Sequence, residues 1–207
     1  RQYNIDKVFY VVPRSIRLLK FLIPIPGKIR RLPLFYKLEE HEVINLCKIL
    51  KVYKIGHKDF KQDIFIHQKY KKAASDTLKK LNIKKPFCIM HISGSFKNKD
   101  LNSNEANQII NYLKEKGFDI LLLNGNLNNI KVINSKSILL SAALIEKSDL
   151  FVGIDSGQAH IAEALNRPSI IISNEFREDL LYTNRKNAFL FDKFDYNKIM
   201  EAIEKFS

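Results

Sequence analysis

Tryptophan is absent from this 207-residue chain, cysteine and methionine occur twice each, proline six times and glycine seven times. Cys47 and Cys88 stand far apart, with no second cysteine at redox or metal spacing, which argues against a disulfide framework or a zinc site and fits a reducing cytosol. Collagen-like and low-complexity architectures are ruled out by the same scarcity of glycine and proline. With 45% hydrophobic and 28% charged residues, the composition is that of a folding globular chain. No apolar run approaches the roughly 18 residues of a membrane span, because Pro24, Pro26 and Gly27 interrupt the most hydrophobic stretch. Nothing resembles a signal peptide. The chain opens on Arg1 and runs almost at once into Val8-Phe9-Tyr10-Val11-Val12, so a segment upstream is expected to be missing.

Acidic residues are the other shortage. Asp and Glu total 22 against 35 Lys and Arg, for a formal charge of +13 and a pI of about 9.6. Such an excess favours anionic partners, whether nucleic acid, phosphate esters or acidic lipid. Runs such as Lys79-Lys80-Leu81-Asn82-Ile83-Lys84-Lys85 are equally consistent with a general compositional habit.

Strand-length apolar runs alternate with helical periodicity through the second half, which predicts a parallel sheet covered by helices. The expected strands are Phe87–Ile92, Ile120–Leu123, Leu150–Ile154 and Ser169–Ile172. Between them, Ala106, Ile109, Ile110 and Leu113 form one helical stripe, with Asn102 and Glu105 at N-cap and N3 spacing and Gly117 as a stop. Weaker helical patterns cover Leu139–Lys147 and Gln158–Leu165, and a last helix begins near Tyr196 with Ile199, Ala202, Ile203 and Phe206 on one side. The first 60 or so residues follow a different plan: one strand, a basic and apolar stretch from Arg14 to Lys37, and a helix around Glu39–Leu50. Lys58–Gln68 reads as a linker followed by a lysine-rich helix. These features predict two domains, 1–62 and 63–207, the first a remnant.

Two strand-to-helix turns carry hydroxyl and glycine residues: Ser93-Gly94-Ser95 and Asp155-Ser156-Gly157-Gln158. In a parallel sheet all carboxyl ends lie on one side, where helix amino termini offer free N–H groups to an anion. Glycine lets the backbone approach closely and serine adds a donor. Small residues are also preferred wherever a strand turns sharply into a helix. Neither turn is a Walker loop or a Gly-x-Gly-x-x-Gly fingerprint. Lys99 stands four residues after Ser95, suited to neutralise a phosphate or simply to be solvated. His160 lies in the first turn of the helix after Gly157, within reach of an anion there or partly buried on the helix. Asp155 is placed to cap that helix, to accept from a sugar hydroxyl or to hold Lys99. No second carboxylate is spaced for a metal ion.

With these residues assembled, the second half resembles glycosyltransferase family 9, the ADP-heptose:lipopolysaccharide heptosyltransferases. The run from Asp149 through Asp155-Ser156-Gly157-Gln158-Ala159-His160 to Leu165, followed by Pro168, is similar to the family's signature. His91-Ile92-Ser93-Gly94-Ser95 with Lys99 resembles its strand, small-residue turn and lysine that meet the donor diphosphate. Tyr3–Val8, Arg14-Ser15 and the helix at His41-Glu42-Val43 resemble the end of the family's amino-terminal domain. The resemblance implies a GT-B fold of two Rossmann-like domains, with this chain holding the donor side and the remnant of the acceptor side. It places Ser93, Gly94, Ser95, Ser156, Gly157 and Gln158 around the diphosphate, Lys99 as its counter-charge, His160 behind the second turn and Asp155 near the sugar.

The implied reaction transfers a heptose or related sugar from a nucleoside-diphosphate donor, with inversion and without metal or cofactor, to a lipid-linked saccharide acceptor. The general base is expected upstream of Arg1, so residues 1–207 alone are expected to bind donor without turnover. A cytoplasmic location follows, with peripheral contact to anionic lipid at the inner face of a bacterial inner membrane through the Arg14–Lys37 stretch. Two departures stand out. Asn124-Gly125-Asn126-Leu127 occupies the place of the family's ribose-binding acid, and Leu101-Asn102 that of its tryptophan and proline. They leave open another nucleotide sugar, such as a UDP-sugar. A basic nucleic-acid-binding module is the competing class, though no RRM, KH, zinc or helix-turn-helix pattern supports it.

Overall fold

The computed structural model describes residues 8–9, 29–30, 64–94, 100–173 and 187–206. The chain divides into two compact units, Arg1–His57 and Lys58–Ser207. In the first, β1 (Val8–Phe9) pairs in parallel with β2 (Ile29–Arg30). The expected helix at 39–50 and most of the 14–37 stretch lie outside the described residues.

The second unit is a six-stranded, wholly parallel sheet with helices on both faces. In chain order it runs α1 (Gln68–Lys80), β3 (Phe87–His91), α2 (Ser103–Glu115), β4 (Asp119–Leu123), β5 (Lys131–Ile133), α3 (Ile138–Lys147), β6 (Leu150–Ile154), α4 (Gly157–Ala164), β7 (Ser169–Ile172), β8 (Ala188–Phe191) and α5 (Tyr196–Glu204). The α/β class with a parallel sheet is the one the periodicity predicts, and the four expected strands form its centre. Their side chains alternate between two cores because successive Cβ atoms point to opposite faces. Cys88, Met90, Leu122, Val152, Ile170 and Ile172 pack with the stripes of α2 and α5. Phe87, Ile89, Leu121, Phe151 and Ile171 pack with α1, α3 and α4.

Helix α2 shows how local signals and packing divide the work. The Asn102 side chain accepts from the Asn104 and Glu105 amides while Glu105 reaches back to the Asn102 amide, the full capping box. At the other end, Gly117 is left-handed (φ 84°), and the Phe118 and Gly117 amides return to the Leu113 and Lys114 carbonyls, a Schellman closure. The cap is worth about 1 kcal/mol, whereas burying Ile109, Ile110 and Leu113 contributes about 1.5–3 kcal/mol each. Capping therefore sets where the helix starts, and the stripe holds it on the sheet.

The strand order is β5-β4-β3-β6-β7-β8. From β3 the chain winds outward to one edge, then returns to β6 and winds to the other. The switch point falls between β3 and β6, with Cα partners Cys88↔Leu150, Ile89↔Phe151, Met90↔Val152 and His91↔Gly153. In sheets of this kind the crevice outside the carboxyl ends at the switch point is where ligands bind.

Candidate functional site at the switch point

The two turns singled out in the sequence follow the two strands that flank this crevice, on the same edge of the sheet. Ser93 and Gly94 leave β3, and Asp155 through Gln158 lead from β6 into α4. Gly94 lies against the end of β6: a Cβ added there would lie 3.3 Å from Ile154 Cδ1, so a larger residue presses on that strand. Ser95 and Lys99 lie outside the described residues.

The first turn is fastened at its base. Asp100 Oδ1 accepts from the Gly94 amide at 2.8 Å, and the Leu101 amide donates to the Ile92 carbonyl at 3.0 Å, which draws the ends of the loop together. Ser93 Oγ donates to the Asn124 carbonyl at 3.3 Å, tying the turn to the end of β4, where Asn124 itself is left-handed (φ 51°). The Gly94 amide is thus already occupied, and the more open donors belong to the second turn.

There, Ser156 is the N-cap residue of α4, so Asp155 is not the cap; it lies buried at the end of β6. Unusually for serine in that position, Ser156 makes no side-chain cap. Its Oγ lies instead 3.1 Å from Nδ1 of His91, across the gap between the strands. The Ala159 and His160 amides donate to the Ser156 carbonyl at 3.0 and 3.3 Å, while the preceding Gly157 and Gln158 amides have no partner among the described residues. A Cβ on Gly157 would meet no atom of the described residues within 4 Å, so among them the backbone is bare on that side. His160 Nδ1 sits 3.8 Å from Oε2 of the buried Glu163, and Gln158 Oε1 is buried without a partner among the described residues.

His91 is the site residue that sequence reasoning left without a role. It is 6% exposed, and burial lowers its pKa below the ordinary 6.5, partly opposed by the Asp100 carboxylate. The ring is therefore neutral at pH 7, with one nitrogen a donor and the other an acceptor. Its register partner Gly153 is the other omission: a Cβ there would come within 2.7 Å of the His91 carbonyl and 3.0 Å of the Phe151 ring, so glycine is what lets β3 and β6 lie this close. The only hint in the sequence was a polar residue ending an otherwise apolar strand.

Asp149, first residue of the signature, belongs to the opposite rim. It accepts from the Phe87 amide at 2.9 Å and pairs with Lys85 at 2.8 Å, pinning the amino ends of β3 and β6 together. A surface groove of about 330 Å³ along α2 and α5, lined by Gln108, Asn111, Tyr112, Glu115 and Tyr196, involves neither turn. Among the described residues no cluster of His, Cys, Asp or Glu is arranged to hold a metal ion, and no helix is long and apolar enough to cross a membrane.

Comparison with solved structures agrees with this topology. E. coli ADP-heptose LPS heptosyltransferase II superposes over 97% of this chain and 76% of its own with a TM-score of 0.69 at 16% identity. A glycosyl transferase family 9 structure from Veillonella parvula gives 88%, 56%, 0.66 and 14%. E. coli heptosyltransferase WaaC with ADP gives 87%, 60%, 0.59 and 16%. The chain thus spans only a little over half the length of the latter two. At such identities the likeness establishes the fold. No match was found among curated proteins. The family model described as glycosyltransferase family 9 (heptosyltransferase) matches residues 36–175, which is more than half of the chain and includes both turns of the crevice. On that match, running through the switch point itself, the chain belongs to glycosyltransferase family 9.

Proposed function

We propose that residues 63–207 form the donor-binding domain of a glycosyltransferase that moves a heptose or related sugar from a nucleoside-diphosphate donor, ADP-heptose first among them, to a lipopolysaccharide-type acceptor. The observation that carries this reading is that the two turns follow the strands flanking the switch point, with the Gly157 and Gln158 amides unpartnered among the described residues. Partial positive charge at the amino end of α4 suits a diphosphate, and Lys99 adds an ammonium within the other loop. ADP and ADP-2-deoxy-2-fluoro heptose, the ligands of E. coli heptosyltransferase WaaC in two of the similar structures, are of the same chemical class.

In the reaction, an acceptor hydroxyl attacks the anomeric carbon from the face opposite the diphosphate and gives its proton to a carboxylate supplied outside the donor domain. A C–O bond forms as the sugar–phosphate C–O bond breaks, inverting the centre. Negative charge grows on the departing diphosphate, where fixed amides and Lys99 stabilise it in the place a metal ion would otherwise serve. Asp155, buried beside Ser156 at the end of β6, is assigned to the sugar hydroxyls. Peripheral contact with anionic lipid is the companion proposal for the basic amino-terminal stretch; failure to sediment with anionic vesicles at both low and high salt would end it.

Titration calorimetry of the chain with ADP, UDP and GDP tests the donor reading. Binding of ADP in preference to the others is expected. Because Asn124-Gly125-Asn126 stands where an acid would hold the ribose, a second reading keeps the fold and site but takes another nucleotide sugar; preference for UDP or GDP selects it. Binding of none would overturn both.

A further inference from the structure

We propose that His91 is a positioning residue of the anion site: its imidazole holds the Ser156 hydroxyl away from the first turn of α4, which keeps the Gln158 amide available to a diphosphate beside that of Gly157. This rests on the donor-site reading above, and adds to it a device that keeps the helix terminus open.

Serine at an N-cap position ordinarily folds its hydroxyl back onto the N2 or N3 amide, satisfying a donor the helix cannot satisfy itself. In α4 those are the Gln158 and Ala159 amides. Ser156 has the extended backbone of a capping residue (φ −160°, ψ 169°) yet makes no cap. The other N-caps described here do: Asn102, Ser137, Asp195 and His67 each accept from an amide of their helix. What differs at Ser156 is a competing partner, His91 Nδ1 at 3.1 Å. His91 cannot readily release it, because a buried imidazole nitrogen that loses its partner pays the full cost of desolvation. The strands also fix the distance: His91 and Gly153 are register partners, and the missing side chain at Gly153 lets the backbones close to the spacing that brings Nδ1 to Oγ.

The consequence is specific. If His91 is replaced by a side chain of similar volume with no nitrogen, Ser156 turns and caps α4, and the ligand must then displace that cap. A cap is worth about a factor of five in an equilibrium, so ADP affinity falls about fivefold in His91→Leu. Removing the hydroxyl from that background frees the Gln158 amide again, so Ser156→Ala raises ADP affinity in His91→Leu although it does not do so in the parent chain. His91→Asn, which retains a side-chain amide near the Nδ1 position, keeps the parent behaviour.

The test combines amide hydrogen exchange at Gln158, measured without ligand on the 207-residue chain, with ADP calorimetry, both on the parent, His91→Leu, Ser156→Ala and His91→Leu/Ser156→Ala. The expected exchange is fast in the parent, about fivefold slower in His91→Leu, and fast again in His91→Leu/Ser156→Ala. Should His91→Leu fail to fold, His91→Phe takes its place. Unchanged exchange in the nitrogen-free variant, or equal effects of Ser156→Ala in both backgrounds, overturns the inference whatever ADP does. Exchange that follows the predicted pattern in a chain that binds no ADP upholds the cap release and removes the donor reading instead.

Discussion

A single glycine separates stability from function in this crevice. Gly157 is the first residue of α4, and its amide and bare face meet no described partner. An aspartate there would have room for its side chain and would favour the helix, since a carboxylate in the first turn complements the helix dipole by about 0.3–1 kcal/mol. The same carboxylate would repel a diphosphate. Gly157→Asp is therefore expected to leave the melting temperature unchanged or slightly raised while weakening ADP binding by at least about tenfold, since a few kcal/mol of repulsion is available at such distances; a variant that binds ADP as the parent does removes the α4 terminus from the site. His91 gives a second prediction of fixed sign. Its folded pKa is lowered by burial, so the unfolded chain binds the proton more tightly. The stability it contributes is complete above the ordinary value of 6.5 and is lost as the pH falls below it towards the lowered folded value. Denaturant midpoints should fall more steeply from pH 7 to pH 5 in the parent than in His91→Asn; parallel curves would contradict a neutral buried ring.

At the level of elements, the centre of the sheet was legible because burial on both faces leaves four or five consecutive apolar residues, and β6 and β7 appear with the bounds read from the sequence. Helix α2 was equally clear, from capping box to terminal glycine. Of the edge strands, β5 is three half-buried residues opening on a lysine and leaves no apolar run to read, whereas β8, Ala188-Phe189-Leu190-Phe191, is a half-buried apolar run of four that the sequence did offer and that was passed over. The two turns were visible as glycine and serine after a strand, but what joins them was not. The contact of His91 with Ser156 is set by the sheet order and spans 65 residues. Gly153 is the element-scale counterpart. Gly153→Ala must push against a backbone oxygen 2.7 Å away and an aromatic ring, so a loss of about 1–3 kcal/mol in unfolding free energy is expected despite the smallest possible side chain. A change below about 0.5 kcal/mol would show that the spacing of β3 and β6 is not held by this glycine.

For the molecule as a whole, the +13 charge names no partner, and the topology does more to narrow the choice. A six-stranded sheet wound outward from β3 and β6 offers one crevice where two helix-leading turns meet, and the family match runs through it. The groove along α2 and α5 is the natural rival location, being concave and bordered by two tyrosines. Backbone amide shifts recorded while ADP is added to the 207-residue chain discriminate between them directly. The largest changes are expected at Ser156, Gly157 and Gln158, with smaller ones at His91 and Ser93. Shifts centred on Gln108, Asn111 and Tyr196, with the α4 terminus unmoved, would contradict it.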